Sequence, residues 1–579
     1  TKVYEFGSIY WSGFLFSRPH LKKSIRDVSH MILGGSHILA AEYLKAGRLP
    51  ADFERRYERL EDVRFLKAIL SHHDAITGTC TRHVVDDYFN MMYSATSIFN
   101  SDLASTLLPV LGLKVEEAEL ELRWHIAPFQ NYTIGTQSFV LDSTPSPIPD
   151  ISSNSHSVYM AFNQHFAGWK EISATLLRRL KPLPTHGAIH LTSVCDLPFH
   201  CLHRYRLWLD AFEAVTLDTA AMAGEETAEV EKENTKVREL REEKTLELTP
   251  TITVTFSKSH LVFTIPHQVH IGLHAYEEGK LGSLNKLLYE VGMYTFMTFT
   301  PAYSVPAQRA TVTEHASGTF TVTMHGSELA YSLSVFIDPS SPTQILTSRL
   351  SLPQLKYKYN RDYMLRFYFP DINNGRTFRT ESNGFDLIDR EYDTHKKPEA
   401  NFYPVTKFIQ IQDDKLVATV MSDRAQGGSS LSPGLIEIGV ARVNLVRDGL
   451  GVIEHLEEDY WTVIEHKIIV AEKGSQIHRI MQLEQDSAPV YGILKFKDQG
   501  LKNLYLENTN KIRKEKELKR LQDSASRKVK PEDQYIRSLL DLAKDGIKIR
   551  LYNLHEYQSF KIDNVKEFIK QRYGIERDI

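Results

Sequence analysis

The sequence is poor in three features that would assign a protein to a narrow functional class: cysteine, net charge and long apolar runs. Three of its 579 residues are cysteines, too few for a disulfide-stabilised scaffold. The 69 basic and 73 acidic residues leave a formal net charge of −4, without the basic excess expected of a nucleic-acid-binding protein. No apolar run reaches the roughly 18–20 residues that a membrane span requires. We therefore expect no nucleic-acid partner and no membrane span.

The three cysteines leave two possibilities open. Cys195 and Cys201 could form a disulfide bond with Cys80 unpaired, or all three could be buried thiols. Asn131 begins the single Asn-x-Ser/Thr sequon, so we predict it to be the glycosylation site if the chain passes through the secretory pathway.

The overall composition is that of a folded protein with several domains. Hydrophobic residues make up 42% of the chain and charged residues 25%. At roughly 100–200 residues per domain, the length predicts three to five domains. The sequence begins with Thr1 and lacks the charged and apolar regions of a signal peptide, so we expect it to have been trimmed or processed from something longer.

Apolar residues between positions 21 and 99 recur every three or four positions in three successive stretches. Segments containing glycine or proline separate these stretches at residues 45–51 and 71–81. We therefore predict three helices that pack into a bundle.

Beyond about residue 110 the apolar period changes to two, as in residues 251–256 and 319–324. The chain shows neither short repeats nor alternation of strands with long helices, which argues against a doubly wound nucleotide-binding fold. We predict an α + mostly β protein, a three-helix bundle followed by several antiparallel β-sandwich domains. The predicted domains are the bundle at 1–110, a first β domain at 111–250, a large β-sandwich at 251–475 and a C-terminal β domain at 476–579.

Two charged segments, at residues 217–250 and 511–530, interrupt the β pattern. Both are rich in Glu, Lys and Arg and contain few apolar anchors. We predict a solvated surface helix or loop for each. A processing site or a docking strip for a partner is the alternative.

The segment of residues 71–79 contains the densest group of chemically versatile side chains. His72, His73 and Asp74 are followed by Gly78 at a predicted helix–helix corner. Imidazole and carboxylate groups are suitable zinc ligands. On these residues alone, a capping or surface cluster is the alternative, because a zinc site normally takes three or four protein ligands.

Residues 72–79, followed by His83 and Asp87, closely resemble the signature of glycoside hydrolase family 38, the retaining α-mannosidases. Further stretches agree with that family in order and spacing. They lie at residues 10–19, 381–384, 401–404 and 422–430, with a weaker similarity at 547–551.

The resemblance implies a zinc-dependent enzyme of the lysosome or another secretory compartment that removes terminal α-mannose from glycans. It implies that His73 binds zinc and that Asp74 binds sugar hydroxyls. Trp11 would pack against the sugar, and Tyr294 would extend toward it. We place His72 behind the metal ligand, as the residue that orients it.

Three residues have alternatives of a structural kind. Tyr294 could equally be a β-core tyrosine with a satisfied hydroxyl. Asp423 and Arg424 could reach the substrate, but a salt-bridged hairpin before the Gly-Gly turn explains them better. Where the family usually has paired arginines, this chain keeps Arg442 and has Val443 next to it.

Two motifs of the family, His-x-Asp-x-Gly-Trp and Asp-Pro-Phe-Gly, do not occur in the sequence. In the family they carry the remaining zinc ligands and the nucleophile, and a retaining glycosidase needs two carboxyl groups about 5 Å apart. We therefore expect an N-terminal catalytic chain from the same precursor to complete the site, with a homo-oligomer also possible. The alternative hypothesis is a catalytically inactive structural or glycan-binding subunit of a larger assembly.

Overall fold

The computed structural model describes most of the chain, and the following statements concern that part. The described residues are 2–4, 7–46, 51–123, 157–163, 168–177, 189–197, 200–209, 213–217, 236–277, 292–298, 301–315, 318–327, 329–339, 345–356, 361–444, 452, 454–458, 460–486, 490–522, 536–543, 546–554, 556 and 564–573.

These residues form six α-helices and thirty β-strands. The helices are α1 Pro19–Ala46, α2 Phe53–Leu70, α3 Arg82–Val110, α4 Ile477–Asp486, α5 Gln499–Gln522 and α6 Val565–Tyr573. The strands are β1 Lys2–Tyr4, β2 Gly7–Ile9, β3 Ala118–Arg123, β4 Ser157–Phe162, β5 Gly168–Leu177, β6 Ile189–Leu197, β7 His200–Leu209, β8 Ala214–Leu217, β9 Lys236–Leu240, β10 Lys244–Thr249, β11 Ile252–Phe256, β12 Leu261–Thr264, β13 Gln268–Glu277, β14 Tyr303–Ser304, β15 Ala307–Glu314, β16 Phe320–Gly326, β17 Ser332–Ile337, β18 Leu346–Leu352, β19 Arg361–Tyr368, β20 Thr377–Glu381, β21 Leu387–Glu391, β22 Tyr403–Val405, β23 Phe408–Gln412, β24 Leu416–Ser422, β25 Gln426–Ser429, β26 Leu435–Val443, β27 Thr462–Glu472, β28 Val490–Phe496, β29 Ile536–Ala543 and β30 Gly546–Asn553.

The first three helices form the predicted bundle around a shared apolar core. The predicted linker at residues 71–81 coincides with the residues between α2 and α3. Within the described residues, no helix is both long enough and apolar enough to cross a membrane. The helical part of the fold prediction is confirmed.

The β region also follows the prediction of antiparallel sandwiches. Two sheets, of nine and ten strands, enclose one large apolar core. In β11, every second residue is fully buried, as its alternating sequence predicts. In β18 and β26 almost every residue is buried, so their sequences do not alternate. A strand covered on both faces has no solvent face on which to place polar residues.

The charged segment 217–250 differs from its prediction where the structure describes it. Two of its stretches are strands, β9 and β10, each at the edge of one of the two large sheets. β9 pairs with β15 and exposes four of its five residues. Charged side chains on an edge strand oppose further pairing with another chain, so a charge-rich composition does not exclude a strand. In the basic segment 511–530, residues 511–522 belong to α5, as the helix prediction proposed.

Two predicted domain boundaries also differ from the sheet pairing. β9 and β10 belong to the large sandwich, although the first β domain was predicted to extend to residue 250. β28, from the predicted C-terminal domain, lies between β3 and β4 in a four-stranded sheet. Pairing between strands more than 300 residues apart leaves no local signal in the sequence.

Candidate functional site

Three segments that are distant in sequence meet beside the bundle: residues 10–18, the loop of residues 71–81 and residues 292–298. The Phe14 amide donates to the Tyr294 carbonyl at 3.2 Å, and the Phe296 amide donates to the Tyr10 carbonyl at 3.3 Å. The loop is compact because its own backbone groups bond across it; for example, the Thr79 amide donates to the Asp74 carbonyl at 3.2 Å. These contacts bring most of the candidate residues together.

Gly78 and Arg18 join the loop of residues 71–81 to the segment before α1. Gly78 has φ +71°, and a Cβ there would lie 2.7 Å from the Ser17 carbonyl oxygen, so the loop can pack this closely only with glycine. The Arg18 guanidinium donates to the carbonyls of Gly78 at 3.1 Å and Cys80 at 2.9 Å. Lys22 donates to the Ile76 carbonyl at 2.5 Å, and burial lowers the pKa of Lys22 to about 7.

Neither Arg18 nor Lys22 was identified from the sequence. Two long basic side chains beside the start of α1 suggest a solvated helix end, but both are buried. The resemblance marked residues 10–19 without assigning a role to either side chain. Their partners are backbone carbonyls of the loop of residues 71–81, which any sequence supplies, so no residue pattern marks the two side chains.

His72, His73 and Asp74 bring three potential metal-ligand atoms close together. One ligand atom from each lies within 4.8 Å of the other two. The Asp74 Oδ2 atom is 3.5 Å from His72 Nε2 and 3.7 Å from His73 Nε2. The side chain of His73 is 81% exposed, that of His72 47% and that of Asp74 31%. The donors therefore face outward, and a ligand or another chain could reach them.

Asp74 is held on the opposite side of its carboxylate. Its Oδ1 atom accepts hydrogen bonds from the hydroxyls of Thr79 and Tyr294, both at 2.9 Å. Partial burial alone would raise the pKa of Asp74, but these two bonds and the adjacent imidazoles outweigh that effect and lower it. Asp74 is thus an oriented carboxylate with Oδ2 turned toward the histidines.

Trp11 completes the cluster from the segment before α1. Its ring centroid lies 5.3 Å from that of Tyr294, with the planes inclined at 39°. Trp11 is 48% exposed, unusually high for an aromatic side chain with this much apolar area. The Tyr294 hydroxyl donates to Asp74, so the structure brings this tyrosine into contact with the cluster.

Asp423 and Arg424 form an ion pair, and none of their described contacts involves this cluster. Arg424 is fully buried and donates to both Asp423 oxygens at 2.8 Å, and also to the Pro19 carbonyl at 3.0 Å and the Val463 carbonyl. Burial alone would raise the pKa of Asp423, but the charge and hydrogen bonds of Arg424 lower it. This geometry agrees with the salt-bridged alternative. Through its bonds to Pro19 and Val463, Arg424 also connects the start of α1 to β27.

The imidazoles beside this ion pair give an expected pH dependence of stability. The pKa of His466 is lowered to about 4 and that of His20 to about 3, in both cases mainly by burial. The charge of Arg424 contributes to both values, and for His466 the charge of Asp423 acts in the opposite direction. Below pH 6.5 the unfolded chain therefore takes up protons that the folded chain does not. For His466 this costs the folded state about 3 kcal/mol by pH 4. Asp27, with a pKa raised to about 6, acts in the opposite sense.

We expect the His466→Gln variant to lose less stability than the wild type between pH 6.5 and pH 4. The measurement is the free energy of unfolding from urea titrations across this pH range. His395→Gln, at an exposed position, is the control and should leave the pH profile unchanged. Parallel profiles for the wild type and His466→Gln would show that His466 does not stay neutral in the folded protein.

The glycosylation and disulfide predictions cannot be placed in this way. Asn131 lies outside the described residues. Cys195 and Cys201 lie on β6 and β7, but their side chains are outside the described part, so the disulfide prediction stays open. Cys80 is a buried free thiol, and burial raises its pKa.

Comparison with known proteins identifies two matching family descriptions. Residues 9–107 match the "Alpha mannosidase middle domain", and residues 251–449 match the "Glycosyl hydrolases family 38 C-terminal domain"; together they cover about half of the chain. The first match contains the cluster of His72, His73 and Asp74, and the second contains Tyr294.

Curated relatives and solved structures agree with these matches. The lysosomal alpha-mannosidase of Cavia porcellus is 35% identical over 145 residues, which are 23% of this chain and 14% of that protein. Alpha-mannosidase 2 of Spodoptera frugiperda is 20% identical over 511 residues, 80% of this chain and 44% of that protein. A family 38 protein from Enterococcus faecalis has the same fold, with a TM-score of 0.51 at 12% identity over 94% of this chain and 65% of that one.

The chain spans less than half the length of these two curated relatives. The stretches at residues 10–19, 72–79, 381–384, 401–404 and 422–430 that suggested the family all fall within the two matched regions, and the weaker one at 547–551 lies outside them. The family matches, the relatives and the fold agree with one another: the chain belongs to glycosyl hydrolase family 38, the α-mannosidase family.

Proposed function

We propose that this chain is the helical-bundle and β portion of a zinc-dependent retaining α-mannosidase that removes terminal α-mannose residues from glycans. The observation that carries the proposal is the convergence of His72, His73 and Asp74 with Tyr294 and Trp11 on one exposed surface. Two of the relatives are named as lysosomal enzymes, which supports the lysosome or another secretory compartment as the location of this protein.

The imidazole of His73 fits a zinc ion. A neutral imidazole is a suitable zinc ligand, and the His73 side chain is 81% exposed, so a metal with further ligands from another chain can reach it. We assign His73 as the metal ligand and His72 as the residue that orients it. A bound zinc ion would act as a Lewis acid that grips sugar hydroxyls.

Asp74 and Trp11 supply the complementary contacts to a sugar. With Oδ1 already bonded to Tyr294 and Thr79, Asp74 has its outward oxygen available to accept from hydroxyl groups, and a charged acceptor makes such bonds strong. Trp11 offers an exposed indole face suited to the apolar face of a pyranose. Tyr294 contacts both groups: its hydroxyl donates to the Asp74 carboxylate and its ring packs against the Trp11 indole.

A retaining glycosidase uses two carboxyl groups about 5–5.5 Å apart for catalysis. Asp74 is assigned to sugar binding, so both are expected from elsewhere. Within the described part of the chain, Asp74 is the carboxylate of this cluster, and the groups that bond to it or shift its pKa are hydroxyls and imidazoles. We therefore propose that a catalytic chain from the same precursor provides the nucleophile and the remaining zinc ligands.

The same observation favours a second candidate function. A cluster with one carboxylate can hold a mannose unit without cleaving it, so the chain could serve as a glycan-binding or structural subunit. Identification of the chain that copurifies with native material separates the two candidates. A companion with two active-site carboxylates supports the enzyme, and its absence supports the binding subunit.

Metal analysis of the native complex tests the zinc assignment. We expect stoichiometric zinc in the wild-type complex and loss of most of it in His73→Ala. His72→Ala should retain zinc with about 10–100-fold weaker affinity, as expected of a residue that orients a ligand. The control is His395→Ala, an exposed histidine outside the stretches that resemble the family. Unchanged zinc content in His73→Ala would overturn the assignment.

A further inference from the structure

The backbone that carries Tyr294 is anchored at four consecutive carbonyl groups. Donors from two separate segments, the turn before α1 and the end of β26, occupy all four. The Gly292 carbonyl accepts from Asn444 Nδ2 at 2.9 Å, Met293 from Ser17 Oγ at 2.9 Å, Tyr294 from the Phe14 amide at 3.2 Å and Thr295 from Arg442 Nη2 at 2.6 Å. Such complete anchoring leaves this stretch little freedom to rotate.

Arg442 makes the largest share of these contacts. Its side chain is fully buried. Besides the bond to Thr295, its Nη1 atom lies 3.3 Å from the carbonyl oxygens of both Gly292 and Met293. Its Nε atom donates to Asp362 Oδ1 at 2.5 Å, which neutralises the buried charge. One planar guanidinium therefore connects β19, β26 and the segment that carries Tyr294.

The surroundings of Arg442 leave almost no space for movement. Its guanidinium carbon lies 5.1 Å from the Phe16 ring centroid. A Cβ atom at Gly13 would lie 1.8 Å from Arg442 Nη1 and 2.5 Å from the Thr295 carbonyl oxygen. The guanidinium is thus enclosed by the same turn that places Trp11 two residues earlier.

A second arginine on the same two strands provides a comparison. Arg442 on β26 pairs across strands with Asp362 on β19, and Arg366 on β19 pairs across strands with Glu437 on β26. The two pairs are similar in chemistry and opposite in direction. Arg366 also donates to the Tyr276 hydroxyl at 3.3 Å, and none of its described hydrogen bonds reaches the carbonyls of residues 292–295. A purely structural ion pair needs no bonds to the Tyr294 segment, and Arg442 makes three.

We propose that Arg442 is a positioning residue: by fixing the backbone of residues 292–295, it sets the Tyr294 hydroxyl against Asp74 and so orients the sugar-binding carboxylate. The expected effect of Arg442 on sugar binding rests on the proposed function. Its expected effect on the contact between Tyr294 and Asp74 is independent of that function. Lysine at position 442 would keep the charge but cannot place donors on Asp362, Gly292 and Thr295 together, because its three donors share one nitrogen.

The first test follows Tyr294 directly in the full chain. Tyr294 is replaced by 3-fluorotyrosine, and its ¹⁹F resonance is recorded with and without Asp74→Asn. In the otherwise native chain, we expect Asp74→Asn to change the chemical shift of the ¹⁹F resonance. Arg442→Lys should itself shift or broaden the resonance, and in its presence Asp74→Asn should have no further effect. Arg366→Lys should leave both the resonance and its response to Asp74→Asn unchanged.

Asn444→Ala provides a milder variant should Arg442→Lys fold poorly. It removes one bond, to Gly292, and should change the line in the same direction by a smaller amount. A resonance that keeps its position and its response to Asp74→Asn in both Arg442→Lys and Asn444→Ala would overturn the positioning role.

The second test measures methyl α-D-mannopyranoside binding to the native complex. Loss of one well-placed charged hydrogen bond corresponds to about tenfold, so we expect Arg442→Lys to weaken affinity by about that factor. In a Tyr294→Phe background the effect should fall below about twofold, because Arg442 acts through the hydroxyl. Equal effects in both backgrounds contradict the proposal. Wild-type protein that binds no mannoside contradicts the proposed function and leaves the ¹⁹F result to decide the positioning role.

Discussion

Replacement of Gly13 by alanine is expected to destabilise the protein by about 3–5 kcal/mol. The added Cβ would lie 1.8 Å from Arg442 Nη1 and 2.5 Å from the Thr295 carbonyl oxygen. A long side chain can usually move its far end aside, but the guanidinium of Arg442 is held by Asp362 and by three carbonyls. The variant must therefore either shift backbone or break a buried ion pair, and both are costly.

The measurement is the free energy of unfolding by urea, with Gly500→Ala as the control. Gly500 lies in α5, where the nearest atom to an added Cβ is Asp498 Oδ1 at 3.1 Å. Alanine favours helix over glycine, so the control should change stability by no more than about 1 kcal/mol. A Gly13→Ala variant as stable as the control would mean that the turn before α1 does not pack against Arg442 as described.

The Arg424→Met variant is also expected to lose about 3–5 kcal/mol. It removes both hydrogen bonds that Arg424 donates to Asp423 and leaves that carboxylate, which is only 19% exposed, without its cation. The further replacement Asp423→Asn should restore part of the loss, because the remaining buried group is then neutral. The equivalent change at an exposed pair, Arg376→Met beside Glu391, should cost less than about 1 kcal/mol.

Urea titrations of these variants give their free energies of unfolding. The informative quantity is the difference in that free energy between Arg424→Met and the double variant Arg424→Met with Asp423→Asn. If the double variant is at least as destabilised as the single one, an unpaired carboxylate is not the source of the cost. Zinc content should be the same in both variants, since none of the described contacts of the pair involves His73.

The sequence predicted the bundle well because the signals for helices are local. The predicted linker at residues 71–81 matches the structure. The helical spacing of apolar residues stops before it and resumes after it, and Gly78 lies within it. The edge strands β9 and β10 were missed for a physical reason. Their composition is that of a solvated segment, and they become strands because β15 and β11 offer them backbone partners.

The candidate site was predicted as a set of residues but not as a geometry. His72, His73 and Asp74 are adjacent in sequence, so their proximity needed no fold. The bond between Tyr294 and Asp74 joins residues 220 positions apart, and no periodicity signals it. Arg442 was noted as the retained member of a family pair, but its role depends on carbonyls from a distant segment.

The resemblance to the family and the structure contribute different parts of the account. The resemblance proposed a role for Trp11, and the structure adds that its ring lies against Tyr294 and is half exposed. For Asp423 and Arg424, burial and pairing favour the structural alternative over a substrate contact. The choice between a structural role and a substrate contact depends on where the two side chains point, and similarity of sequence motifs does not give that information.

Hydrolysis of 4-nitrophenyl α-D-mannopyranoside by the native complex tests the central claim most directly. Asp74→Asn removes the oriented charge at the centre of the cluster and preserves its shape, and Asp62→Asn, on the exposed face of α2, is the control. We expect the wild type and the control to hydrolyse the substrate, and Asp74→Asn to lower kcat/KM by about 100-fold or more, as for loss of a transition-state contact worth about 3 kcal/mol. Activity that is unchanged in Asp74→Asn would contradict the claim that this chain contributes its His72–Asp74 cluster to an α-mannosidase active site.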